Sequence, residues 1–154
     1  MIQTIFTISI TLQFLVTVLH DWVDIPGWTH GRQVQAAIGP TKMLIGTLVN
    51  GLLSAPAVVF ALLYWNKHKP AFVLDYWVIS CAFAVLGAAT SWWIPYFRGA
   101  DQKTKDLYSK MYAGTLQVLP PHGDNPRPNL LHLFFHALFL INLILAVVWW
   151  FGIA

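Results

Sequence analysis

The amino-acid sequence predicts an all-α integral membrane protein: a four-helix bundle with a short surface helix in the loop between its third and fourth spans. Hydrophobic residues make up 57% of the chain and charged residues only 10%, against about 25% charged in soluble globular domains. The apolar residues gather into four runs, 2–19, 43–65, 76–97 and 130–154, each near the length needed to cross a hydrocarbon core about 30 Å thick. Runs of this length satisfy their backbone groups in lipid as helices. No internal repeat or low-complexity linker divides the chain, so 1–154 reads as one domain.

The first run, Ile2 to Leu19, is uncharged and has neither a basic leader nor a small-residue cleavage pattern, so it is expected to stay as a span. Gln13, Thr17 and His20 fall on one side of it, a narrow polar stripe suited to face protein rather than lipid. A short acidic loop follows, with Asp21, Asp24, a Pro26-Gly27 turn, and Trp22 and Trp28 at headgroup level. In the second run Pro56 predicts a kink, Thr47, Asn50 and Ser54 share a face, and Gly51 with Ala55 lets another helix approach. The third run ends in Trp92, Trp93 and Arg98, residue types that suit an interface, while Gly87 and Ser91 read as helix contacts. From 99 to 129 the chain turns polar. Residues 101–111 predict the surface helix, and the prolines between 119 and 128 exclude another. The fourth run opens with Asn129, His132 and His136, the two histidines four apart on one helical face.

The same composition excludes several functions. A net charge of +3, with the basic residues scattered between apolar runs, offers no stripe for nucleic acid. Cys81 is the only cysteine, so there is no internal disulfide and no thiol relay. Glutamate is absent, which removes the Glu-x-x-His pairs of di-iron bundles and leaves carboxylate chemistry to six aspartates.

Polar groups from all four spans are expected at one depth, near the two larger loops: Gln13, Thr17 and His20, then Asn50, then Thr90, then Asn129, His132 and His136. Ionisable groups are costly within a bilayer and mark sites there. The reading is a pocket lined by His, Asp and Asn near one surface, binding or acting on a small apolar or lipid-like molecule. His20, His132 and His136 are the candidate proton-transfer groups. Asp24 is a better-phased partner for His20 than its neighbour Asp21 if the first helix continues. Arg98 and Arg127 stand as candidates to hold an anionic head at the mouth. No cofactor is required by the sequence. A divalent metal on His132, His136, His20, Asp21 or His122, or a haem between histidines of two helices, are the options the ligand types leave open. Two other classes remain: a non-catalytic subunit packed in a larger homo- or hetero-oligomeric membrane complex, and a metal or haem electron-transfer subunit. Seven basic residues, Arg32, Lys42, Arg98, Lys103, Lys105, Lys110 and Arg127, lie in or beside the two larger loops, against Lys67 and Lys69 in the hinge. That asymmetry predicts cytoplasmic larger loops and both termini non-cytoplasmic.

Overall fold

A computed structural model describes residues 2–152 as a mostly helical chain. In order, the elements are α1 (Ile2–Leu19), a small antiparallel hairpin of β1 (Asp24–Ile25) and β2 (Thr29–His30), α2 (Gly31–Ile38), α3 (Pro40–Leu63), α4 (Ala71–Ala88), a π-helical turn (Ala89–Trp93), α5 (Ile94–Arg98), α6 (Gln102–Met111) and α7 (Leu130–Trp150). Four helical segments, Ile2–Leu19, Pro40–Leu63, Ala71–Arg98 and Leu130–Trp150, are long and apolar enough to cross a membrane.

Local chemistry sets the boundaries. Pro40 begins α3, where its missing N–H and fixed φ cost nothing. The third helix starts five residues before the predicted Tyr76, directly after Pro70. It thereby takes Asp75 inside, where the carboxylate accepts a 2.7 Å hydrogen bond from Trp150 Nε1. The surface helix α6 is capped by Asp101, whose side chain accepts from the Thr104 backbone N–H. The fourth helix ends at Trp150; Ile153 and Ala154, the end of the predicted run, lie outside the described residues. The short helix α2 was not expected. Its Val34 is buried against Met43, Trp92 and Tyr112.

Proline also explains the π turn. Pro95 cannot donate to the carbonyl of Ser91, and its ring crowds that oxygen. The ladder widens so that Ile94 N–H reaches Ala89 O, and the freed Ser91 carbonyl accepts from Tyr108 Oη at 2.7 Å.

The helices pack around α1 and α7. α1 lies against α3 and α7, α7 against α4, and α3 meets α4 far less extensively. The α3–α4 contact is concentrated beside their hinge. There Phe60 meets Phe72 and Tyr76 edge to face, Tyr76 Oη donates to Leu53 O, and Trp77 Nε1 donates to Ala57 O. Phe6, Trp77 and Trp149 complete this end, with ring centroids 4.8 to 5.4 Å apart. Gly51 does allow close approach, since a Cβ there would stand 3.4 Å from Val18 on α1. Gly87 does not pack as expected: nothing lies within 4 Å of where its Cβ would be. It borders a void.

Candidate functional site

Away from the hinge, α3 and α4 diverge and leave a half-open cavity of about 630 Å³, within the range of about 300–1,000 Å³ usual for small-molecule sites. On its inner side stand Ile10 and Gln13 of α1 and His132, Phe135 and Phe139 of α7, all buried. The outer rim is exposed and belongs to α3 and α4, with Asn50, Leu53, Ile79, Phe83 and Gly87. The opening therefore faces sideways, between those two helices.

The predicted stripe on α1 lines this cavity: Gln13, Thr17 and His20 are all on its wall. Thr17 spends its hydroxyl on Gln13 O, 2.7 Å away. His20 follows the end of α1 and turns Nδ1 back to the carbonyls of Val16 and Thr17, at 3.0 and 3.2 Å. Since carbonyls only accept, Nδ1 carries a proton. Nε2 lies 3.3 Å from Asp21 Oδ1. The helix stops at Leu19, so the constraint that keeps adjacent helical side chains apart no longer applies, and Asp21 rather than Asp24 meets His20. Asp24 is drawn instead into β1, where it accepts from Arg32. That guanidinium holds the exposed Asp24 carboxyl below its ordinary range.

His132 sits at the centre. It is 4% exposed and enclosed by rings, with Trp92 at 4.0 Å, Tyr112 at 5.1 Å, His20 at 5.8 Å and His136 at 6.0 Å between centroids. Asn129 is fully buried and makes three hydrogen bonds, two to His132 and one to Trp28. Its Oδ1 accepts from the His132 backbone N–H at 3.0 Å, capping α7, and faces His132 Nδ1 at 2.7 Å. Its Nδ2 donates to Trp28 O at 3.3 Å. His136 lies one turn deeper on the cavity wall, with Nδ1 buried and unpaired among the described residues.

The two larger loops close over this end together. Leu116 N–H donates to Gly27 O, Leu130 N–H to Leu116 O, and Thr29 Oγ1 to His20 O. Gly31 is needed within the first of these loops, because a Cβ there would stand 2.7 Å from Asp21 O. Tyr112 is part of the cap; burial, reinforced by the Asp21 carboxylate, pushes its hydroxyl well above the ordinary range, so it remains protonated.

Other predicted site residues stand elsewhere. Asn50 reaches the cavity only at its exposed rim. Thr90 points outward and bonds back to Leu86 O and Gly87 O. Arg98 is exposed at the end of α5. Arg127 donates to Leu119 O beside a small surface groove. His122 is exposed next to Tyr96 and Asn125, apart from the other histidines. Among the described residues no three His, Cys, Asp or Glu side chains gather as a metal-ion group. His20 and His132 meet edge to face, with His20 Nε2 turned to Asp21, an arrangement unlike axial ligands flanking a macrocycle.

Two residues that matter here escaped the sequence reading. Trp92, expected at the interface, is 6% exposed and packs against His132 with the rings tilted by 42°, at the end of the π turn. Asn142 is fully buried and donates to Gln13 Oε1 at 2.7 Å, tying α7 to α1 deep below the histidines. A signal for it existed: His132, Phe135, Phe139, Asn142 and Ala146 recur at alternating intervals of three and four, one face of one helix.

The sequence matches no protein-family model, and no curated protein or solved structure matches it.

Proposed function

We propose that this chain is a four-span membrane protein whose lateral cavity takes up a small apolar or lipid-like molecule and presents its polar end to the histidines at the loop end. The observation that carries this reading is the cavity itself: rimmed by exposed Leu53, Ile79 and Phe83, and floored by His20, His132 and His136. Its rim sits on helix faces whose exposed large hydrophobic residues are leucine, isoleucine, valine and phenylalanine, surfaces suited to acyl chains, so a guest dissolved in the bilayer would enter without crossing water. His132, His136 and His20, with Asp21 as the partner of His20, are the residues proposed to bind or act on it. Catalysis by these groups would be proton transfer, the chemistry open to an imidazole near neutral pH.

Filling the cavity tests this. Gly87→Leu adds a side chain where nothing lies within 4 Å of the new Cβ. Organic extracts of the purified protein should contain a co-purifying amphiphile that the variant lacks; identical extracts overturn the reading. The proposed topology is separable. Cysteines at exposed Gln35 and Lys103 should both resist an impermeant thiol reagent added outside, while one at His68 should react, against a background kept low by burial of Cys81. Labelling of Gln35 and Lys103 with His68 protected would invert the orientation; labelling of only one of Gln35 and Lys103 would break the four-span reading.

A further inference from the structure

The hydrogen bonds around Asn129 fix more than a helix cap. Its Nδ2 donates to Trp28 O and its Oδ1 accepts from His132 N–H. Reversing the amide would set a donor against a donor and an acceptor against an acceptor, so its orientation is determined. Oδ1 can then only accept from His132 Nδ1, which must carry the proton. In the neutral ring Nε2 is left as a lone-pair acceptor. It has no hydrogen-bond partner among the described residues, and His132 lines the cavity. On the cavity wall Nε2 is free to accept, so a guest that brings a donor gains a hydrogen bond there. The surrounding walls are unusually rich in rings: Phe83, Trp92, Phe135 and Phe139 line the same space.

We infer that the guest is an amphiphile with a phenolic head, whose O–H donates to His132 Nε2 between these rings while its aliphatic tail leaves between α3 and α4. The inference rests on the cavity reading above and assigns the guest's chemical class. A phenol suits the site better than an alkanol for two reasons: its O–H is the more acidic donor, and its ring packs offset or edge-on against the aromatic wall. An ether, ketone or carboxylate head offers Nε2 no proton.

Protein reconstituted in lipid nanodiscs and loaded with tritiated 4-nonylphenol provides the test, with unlabelled 4-nonylphenol, 4-nonylanisole and 1-dodecanol as competitors, each corrected for partition into the lipid. The phenol should compete about tenfold more strongly than its methyl ether, the ratio expected for one hydrogen bond of about 1.4 kcal/mol. In His132→Leu that ratio should fall to within about twofold, the size of a residual partition difference. The wild-type comparison needs no variant, so a misfolded His132→Leu protein does not spoil it. Equal competition by phenol and ether overturns the donor assignment while leaving the cavity reading intact. Equal competition by dodecanol overturns the phenolic class. Full discrimination in a folded His132→Leu protein removes His132 as the acceptor. Failure of nonylphenol to bind at all overturns this inference, while a co-purifying amphiphile lost in Gly87→Leu would leave the cavity reading standing.

Discussion

The two ends of the bundle are built from similar residue types and do opposite things. At the hinge end, Phe6, Trp77, Trp149, Phe60, Phe72 and Tyr76 interlock, and the indole N–H of Trp77 finds Ala57 O, so that α3 and α4 meet there. At the loop end Trp92, Phe135 and Phe139 are equally aromatic, yet histidines take the central positions and the same two helices stand apart. Aromatic rings close a helix pair when their polar atoms are satisfied locally and small residues let backbones approach. They line a cavity when the polar groups among them are fixed on one edge only, as Asn129 fixes His132.

Four measurements would break or sharpen that contrast. Trp77→Ala empties the closed end and should lower stability by about 3–5 kcal/mol, the usual cost of deleting a buried aromatic side chain. Thermal unfolding of the purified protein measures it; a loss no larger than that of a cavity-wall change such as Phe83→Ala would erase the distinction between the ends. Next in size is the link between them. Gln13 and Asn142 pair across α1 and α7, and a double-mutant cycle with leucine at each site should return a coupling of about 0.6–1.7 kcal/mol, the range for hydrogen bonds between membrane helices. No coupling would make the pair incidental.

Gly87→Leu should change stability by less than about 0.5 kcal/mol, since it intrudes on a void rather than a packed contact, while abolishing guest uptake. A large loss of stability would mean that the void is a tight interface after all. The smallest effect concerns acid. Asp24, Asp101 and Asp124 are all exposed on the loop side and held below the ordinary carboxyl value of 3.8, by Arg32, by the Thr104 N–H and by Lys105 respectively. A carboxyl lowered in the folded state stabilises fully above its unfolded value and less as pH falls through the folded one. Protection of loop-side amides in hydrogen exchange should therefore weaken below about pH 4 before hinge-end amides respond. Simultaneous loss at both ends would show that the loop cap does not open independently.

Much of this was readable from residue order. Four apolar runs announced four long helices, the polar stretch 101–111 announced α6, and the spacing of Gln13, Thr17 and His20 brought them to one wall. These are consequences of helical periodicity and of composition, which act over a few residues. The sequence also held the Asn142 signal, in the three-four alternation along α7, although a single asparagine in an apolar helix carries no instruction about its partner.

Tertiary packing decided the rest. Asp21 became the neighbour of His20 because α1 ends at Leu19 instead of continuing to Asp24, and Asp24 went to Arg32 because β1 pairs with β2. Trp92 packs against His132 at the end of the π turn that Pro95 forces upstream of itself. Gly87 opened onto a void, although its sequence suits a helix contact, because α3 and α4 converge only beside their hinge. Each of these outcomes depends on which segment reaches a donor, an acceptor or a space first. For some contacts that competition is settled between residues more than a hundred positions apart, as Gln13 and Asn142 or Trp28 and Asn129 are, and local sequence rules do not extend that far.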